Sequence, residues 1–157
     1  MIEIRQATEK DIDIIFNFIK ELAIYEKLEN EVTATEDLIL ETLFKNDKAD
    51  VLIANYDGNP VGMALYFYTY STFLGRIGIY LEDLYVKEEY RGKGIGKLLI
   101  KNLAEICLDN GYGRLEWSVL DWNKPSIDFY ESLDAKPQTE WIKYRLEGKS
   151  LKKLSEK

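Results

Sequence analysis

A glycine-rich stretch with three cationic side chains is the part of the sequence best suited to bind a ligand. It reads Arg91-Gly92-Lys93-Gly94-Ile95-Gly96-Lys97, and it lies between a predicted strand and a predicted amphipathic helix. The glycines let the backbone bend and approach a ligand closely. Unpaired N–H groups at a helix start, together with the positive end of the helix dipole, bind anions. The stretch therefore predicts a site for a diphosphate in an otherwise acidic chain.

The spacing of this stretch excludes two common phosphate-binding loops. A P-loop requires serine or threonine after its Gly-Lys pair, where this chain has Leu98. A dinucleotide fingerprint requires a third glycine, where this chain has Lys97. A nucleotide-binding domain is therefore not favoured. The spacing that fits is Arg/Gln-x-x-Gly-x-Gly/Ala, which Arg91, Gly94 and Gly96 satisfy.

This turn resembles that of the GNAT superfamily of acetyltransferases, and other segments extend the similarity. Within the superfamily, the chain is similar to the spermidine/spermine N-acetyltransferases and their thialysine-acetylating relatives. The similar segments are residues 19–23, 25–26, 80–83, 90–96 and 122–130. The resemblance implies a mixed α/β fold with a central, mostly antiparallel sheet flanked by helices. It also implies acetyl transfer from acetyl-CoA to a primary amine by direct attack on the thioester.

The resemblance implies that one set of residues binds coenzyme A. Backbone groups of the strand would pair with the pantetheine arm like one more strand, and the glycine turn would hold the diphosphate. The start of the last predicted helix would also contact the cofactor. The strand residues are Leu84, Tyr85 and Val86. The residues of the glycine turn are Arg91, Gly92, Lys93, Gly94, Ile95, Gly96 and Lys97, and those at the helix start are Asn123, Lys124, Pro125 and Ser126.

Two residues are implied to act in the chemistry. Tyr130 would protonate the departing thiolate, which suits a phenol with a pKa of about 10. Glu82 would act as the general base or steer the amine, directly or through water. An alkylamine has a pKa of about 10.4, so the site must bind a cation and then remove a proton. Carboxylates serve both purposes.

A third set contains the candidates for the amine pocket. Carboxylates attract the cation, and tryptophan rings can cage an alkylammonium by cation–π contact. Because neighbouring residues of a strand point to opposite faces, only one of Glu82 and Asp83 is expected to face the cleft. The candidates are Tyr25, Glu26, Glu82, Asp83, Glu116, Trp117, Trp122 and Trp141.

The chain departs from these related enzymes after Tyr130. Their usual basic pair and glycine are replaced by Glu131-Ser132-Leu133-Asp134. Asp134 can adopt the left-handed turn, so the fold is expected to persist. The loss of basic residues is expected to weaken the grip on a coenzyme phosphate.

The amino-acid composition limits the catalytic groups and the binding partners that are possible. The chain has no histidine and only Cys107 as a thiol, which excludes histidine-dependent triads, an internal disulfide and a zinc site, and no metal is expected. A net charge of -7 argues against nucleic acid and favours a cationic substrate. No apolar run is long enough to span a bilayer, and residues 1–5 are too charged for a signal peptide. A cytoplasmic protein without a membrane partner is expected.

The elements that must position these residues follow from hydrophobic periodicity and turn signals. A single domain at residues 1–148 is predicted, followed by a polar, frayed tail at residues 149–157. Helices are predicted at residues 8–26 after a Thr8–Asp11 capping box, after Thr35 with Leu38, Ile39 and Leu43 buried, at residues 95–110 and at residues 123–133. Strands are predicted at residues 2–7, 51–56, 61–70, 77–86, 114–120 and 141–146, with a turn at residues 57–60.

Two other functions are left open by the sequence. One is a non-catalytic acyl-CoA-binding or sensing module on the same fold, which the presence of Tyr130 and Glu82 argues against. The other is an acetyltransferase for a protein or peptide amine, although the acidic candidates favour a small cationic acceptor such as a polyamine, a diamine or a thialysine-like amine. The resemblance further implies a homodimer.

Overall fold

A five-stranded sheet forms the centre of the first of two structural units, which comprises Met1–Leu120. The computed structural model describes residues 1–156 of the chain. The strands lie side by side in chain order, antiparallel except for the last pair, which is parallel. The mixed, mostly antiparallel sheet predicted from the sequence is confirmed. The strands are β1 Ile2–Gln6, β2 Asp50–Tyr56, β3 Asn59–Ser71, β4 Arg76–Val86 and β5 Leu115–Trp117.

The helices begin where the sequence supplies caps. Thr8 forms the predicted capping box with Asp11, and the resulting 3-10 turn continues into the first α-helix. The side chain of Thr35 accepts a hydrogen bond from the Leu38 N–H at 3.2 Å and caps the second. A π-helical segment, Leu40–Lys45, extends that second helix. The helices are α1 Ile12–Tyr25, α2 Glu36–Ile39, α3 Ile95–Asn110, α4 Lys124–Ser132 and α5 Gly148–Ser155.

One face of the sheet packs against α1 and holds the end of β4 in place. Phe18 of α1 belongs to the same buried cluster as Ile53, Met63 and Tyr85 from three neighbouring strands. The rings of Phe18 and Tyr85 lie 5.6 Å apart. The helix α3 covers the other face with a buried stripe that includes Leu99 and Leu103. β4 is thus enclosed from both sides at the point where the predicted site begins.

The absence of a side chain at Gly62 lets β3 approach β4 beside the predicted site. A Cβ at this position would lie only 2.6 Å from the Tyr85 carbonyl oxygen. We expect Gly62→Ala to destabilise the protein by about 2 kcal/mol, because the backbone of β4 must shift. Urea unfolding measures this effect. Gly96→Ala is the control, since its Cβ would meet no atom closer than 3.9 Å; equal stability of Gly62→Ala and the parent would contradict the packing argument.

The second unit, which begins at Asp121, differs from the secondary structure predicted from the sequence in two segments. The predicted strand at residues 141–146 is wrong: the segment has no regular structure, and Trp141 and Tyr144 are 77% and 89% exposed. A strand needs a partner for its backbone groups, and the described part of this unit contains no other strand. The tail predicted to fray instead forms α5, on which Leu151 and Leu154 share the i, i+3 spacing of one helix face.

Smaller differences concern single residues in the first unit. Leu38 was expected to be buried but is 49% exposed, whereas Ile39 is buried as expected. The predicted turn at residues 57–60 is limited to Asp57 and Gly58, both with positive φ, because β3 already begins at Asn59. None of the helices among the described residues has the length and apolar character needed to cross a membrane.

Candidate active site

The sheet opens halfway along β4. β5 pairs with β4 only from Ile79 to Leu81, whereas β4 continues to Val86. Beyond Leu81, no strand in the described residues pairs with this edge of β4. The stretch that contains Leu84 and Tyr85 therefore offers backbone groups to an extended ligand. One such group is already engaged, since the Val86 carbonyl accepts a hydrogen bond from the Arg91 Nε at 2.8 Å.

A β-bulge at Glu82 determines where the acidic side chains of β4 point. Leu65 pairs with Asp83 and the next residue, Tyr66, pairs with Leu81, so Glu82 is an extra residue without a partner on β3. A bulge interrupts the alternation of side chains along a strand. Glu82 and Asp83 consequently lie on the same face of the sheet, the face that packs against α1. The expectation that only one of them could face the cleft was wrong.

Glu26, the C-cap residue of α1, forms an acidic cluster with these two carboxylates. Burial raises the pKa of Asp83 to about 6, and repulsion from Glu82 and Glu26 adds to the effect. Burial also raises the pKa of Glu26, with a further contribution from Glu82. Three neighbouring carboxylates with mutual repulsion create a site that a cation stabilises. We call Glu26, Glu82 and Asp83 the acidic cluster.

The other amine-pocket candidates of the first unit lie on different faces of the sheet. Glu116 pairs with Tyr80 and lies on the face of the acidic cluster, whereas Trp117 pairs with Leu81 and lies on the opposite face. Tyr25 lies beside the cluster at the end of α1, and its ring is 5.0 Å from the guanidinium carbon of Arg91. The structure thus places Tyr25 and Glu116 on the acidic side and Trp117 away from it.

The glycine turn has the geometry of an anion site. Gly92 and Gly94 have φ values of 78° and 82°, a conformation that glycine adopts without strain. No side chain caps the start of α3. The first N–H groups of α3 are therefore available to a ligand, with Lys97 exposed beside them. The Lys93 ammonium lies over the Tyr56 ring at 5.6 Å.

In the second unit, Asn123 organises the start of α4. Its side chain is buried and accepts a hydrogen bond from the Ser126 N–H at 3.4 Å. Pro125 occupies the first turn of the helix, and Lys124 forms an ion pair with Asp128. Tyr130 is half-buried on the same helix, with its ring 5.5 Å from that of Phe129. The candidates Trp122 and Trp141 are 45% and 77% exposed. Asp134 has the expected positive φ, 65°.

Five residues that sequence reasoning missed line a cleft of about 430 Å³ at the end of α1. The cleft also contacts Tyr25, Tyr85 and Arg91, and the five missed residues are Glu21, Ile24, Lys87, Glu88 and Glu89. The i, i+4 spacing of Glu21 and Tyr25 on α1 was the available signal. Lys87 follows directly after β4. The alternation of side chains along the strand ends there, so the sequence pattern does not predict where the Lys87 side chain points.

The raised pKa of Asp83 predicts a pH-dependent stability. The folded protein retains this proton up to a pH of about 6, whereas the unfolded chain loses it near 3.8, so the contribution of Asp83 to stability is fully present below pH 3.8 and is lost as the pH rises through 6. We expect Asp83→Asn to be more stable than the parent by about 2 kcal/mol at about pH 8, and equal to it at about pH 3.5.

Urea unfolding at these two pH values measures the difference. Asp109→Asn is the control, because Asp109 is exposed on α3 and its replacement is expected to change neither value. A variant Asp83→Asn that is no more stable at the higher pH would contradict the burial of this carboxylate.

A solved structure with a closely similar fold is an integron cassette protein from the mobile metagenome of V. cholerae. It superposes with a TM-score of 0.83 at 29% sequence identity, covering 99% of this chain and 98% of that chain. This chain therefore has a known fold. Its opened sheet and its glycine turn into an uncapped helix fit a protein that binds an extended anionic ligand such as an acyl-coenzyme A.

The chain belongs to the acetyltransferase (GNAT) family, whose model matches residues 15–134. It is therefore an N-acetyltransferase, as the sequence resemblance predicted. A thialysine N-ε-acetyltransferase from Sus scrofa is 43% identical over 98% of this chain and 97% of its own length. An L-ornithine N5-acetyltransferase from Arabidopsis thaliana is 30% identical over 96% of this chain and 86% of its own length.

Proposed function

We propose that this protein transfers the acetyl group of acetyl-CoA to a primary amine of a small cationic acceptor. The observation that carries the proposal is the acidic cluster, whose two β4 members follow directly after the point where the sheet opens. An amine bound there would lie next to a thioester held along the free edge of β4. The relatives named for thialysine and for ornithine support an acceptor of this kind.

Glu82 is the proposed general base. Only the neutral amine attacks a thioester, and at neutral pH about one alkylamine in a few thousand is neutral. The bulge places Glu82 and Asp83 together, so the cluster can attract the ammonium ion while Glu82 accepts its proton. The amine nitrogen then bonds to the thioester carbon, the carbon–sulfur bond breaks, and the coenzyme thiolate takes a proton from Tyr130. The nitrogen loses its surplus proton as the amide forms, and Tyr130 regains a proton from solvent. This role of Tyr130 rests on the sequence resemblance.

The proposed coenzyme site comprises the residues that the sequence resemblance assigns to it. Leu84, Tyr85 and Val86 would pair with the pantetheine arm, and residues 91–97 would hold the diphosphate. Residues 123–126 would add contacts from the start of α4. The uncapped start of α3 and the positive φ of Gly92 and Gly94 support this assignment. From the resemblance we further propose that the protein is a cytoplasmic homodimer. From its net charge of -7 we propose that it has no nucleic-acid partner.

A matched pair of glycine variants tests the coenzyme site. Gly94 and Gly58 have φ values of 82° and 83°, and a Cβ at either position would meet nothing within 4 Å. Gly94→Ala and Gly58→Ala should therefore lose similar stability, about 1–2 kcal/mol. Only Gly94→Ala is expected to weaken coenzyme A binding, by about tenfold or more, because its Cβ would project into the space at the start of α3.

Urea unfolding measures the stability of both variants, and calorimetric titration with coenzyme A measures binding. Parent-like coenzyme affinity of Gly94→Ala would place the diphosphate elsewhere. Equal weakening in both variants would show that the effect arises from general destabilisation.

A further inference from the structure

The side chain of Arg91 is held by two aromatic rings and a main-chain carbonyl. Its guanidinium carbon lies 5.0 Å from the ring centroid of Tyr25 and 5.7 Å from that of Tyr85. Both distances fall within the range of about 6 Å over which an aromatic face attracts a cation. The Arg91 Nε donates to the Val86 carbonyl at 2.8 Å. We call Tyr25, Tyr85 and Val86 the Arg91 clamp.

The clamp fixes Arg91 without neutralising its charge. Among the described residues, Arg91 forms no ion pair with a carboxylate, although Glu21, Glu88 and Glu89 line the same cleft. Its main chain is also fixed, because the Arg91 N–H donates to the Glu88 carbonyl at 3.2 Å where a short 3-10 turn ends. A guanidinium held in this way keeps its terminal nitrogens for two parallel hydrogen bonds to phosphate oxygens.

The two rings of the clamp differ in how firmly they are anchored. Tyr85 is 7% exposed and packs against Phe18. Burial raises the pKa of Tyr85 to about 12, and the hydrogen bond that its hydroxyl donates to the Glu21 carboxylate adds to the effect. The Glu21 Oε2 is itself buried. Tyr25, the last residue of α1, is 37% exposed, so its replacement removes one side of the clamp without emptying the core.

We propose that Tyr25 is a positioning residue for the coenzyme, because its ring helps to hold the Arg91 guanidinium where the diphosphate binds. The assignment rests on the proposed function, since Arg91 belongs to the proposed coenzyme site. The resemblance instead implies a place for Tyr25 in the amine pocket. The two roles differ in the ligand whose binding depends on the Tyr25 ring, and this difference can be measured.

Calorimetric titration with coenzyme A tests the role of the ring. Tyr25→Leu is expected to weaken coenzyme A binding by about fivefold and to change KM for the amine by less than about twofold. Tyr25→Phe keeps the ring and should stay within about twofold of the parent. Equal weakening by both variants would assign the effect to the hydroxyl and contradict the clamp. Tyr70→Leu is the control, because Tyr70 is 66% exposed and pairs with Ile77 at the far end of β4.

A double-mutant cycle with Arg91→Gln shows whether Tyr25 acts through Arg91. Glutamine also satisfies the Arg/Gln-x-x-Gly-x-Gly/Ala spacing, so the turn should form and bind coenzyme A measurably. Glutamine carries no charge for the ring to attract. In the Arg91→Gln background, Tyr25→Leu is therefore expected to change coenzyme A affinity by less than about twofold.

Parent-like coenzyme affinity of Tyr25→Leu, or equal weakening by Tyr25→Leu in both backgrounds, would overturn the assignment. A raised KM for the amine with unchanged coenzyme affinity would also overturn it and would place Tyr25 in the amine pocket. Thiol release from acetyl-CoA, measured in parallel, keeps this result separate from the proposed function. Coupling between Tyr25 and Arg91 without thiol release to any small amine would support the clamp and contradict the proposed reaction. Thiol release without coupling would support the reaction and overturn the clamp.

Discussion

Tyr130→Phe is expected to lower kcat by about 100- to 1,000-fold while the protein remains folded. The variant keeps the aromatic ring, whose centroid lies 5.5 Å from that of Phe129 on α4, and removes only the phenolic hydroxyl with its proton. Without that proton, the coenzyme leaves as an unprotonated thiolate, which raises the barrier for breaking the carbon–sulfur bond. Initial rates of thiol release at saturating acetyl-CoA and acceptor measure the effect.

Tyr144→Phe is the matched control for this experiment. Tyr144 is 89% exposed in the same structural unit, and loss of its hydroxyl is expected to leave kcat unchanged. A Tyr130→Phe variant with kcat within about threefold of the parent would remove Tyr130 from the mechanism.

Glu82→Gln is expected to lower kcat/KM for the amine by about 100-fold at neutral pH. Glutamine fills the same position in the bulge but cannot accept a proton. The deficit should shrink as the pH approaches the acceptor pKa of about 10.4, because the amine then loses its proton without help. A pH profile of kcat/KM from about pH 7 to pH 10 therefore separates a base from a residue that only shapes the pocket.

Glu3→Gln is the control, because Glu3 is an exposed carboxylate of β1 in the same sheet. It should leave the pH profile unchanged. A Glu82→Gln deficit of constant size across the pH range would contradict the role of Glu82 as base and would favour a role in amine binding alone.

Local signals predicted the parts of the fold that depend on neighbouring residues in the chain. The Thr8 capping box, the Thr35 cap and the glycine turn into α3 are all present, because each is specified within a few residues. The pattern at residues 141–146 also reads locally as a strand. It fails because a strand requires a partner that the sequence pattern cannot show.

The sequence identified several residues of the candidate site but not their arrangement in space. Glu26, Glu82 and Asp83 were identified from the resemblance, yet their convergence depends on the bulge at Glu82, which arises from the pairing of β4 with β3. Glu21 is a second example, because its buried oxygen is apparent only once α1 packs beside Tyr85. The roles of Tyr130 and of the coenzyme-binding residues, like the single domain at residues 1–148, stay predictions.

The most direct test of acetyl transfer to a small amine is thiol release from acetyl-CoA with a panel of acceptors, followed by mass analysis of the products. The panel contains thialysine, ornithine, lysine, putrescine, spermidine and a short lysine-containing peptide. We predict acceptor-dependent thiol release with at least one small amine and a product heavier by one acetyl group. Coenzyme binding without turnover of any small amine, or acetylation of the peptide alone, would contradict the account.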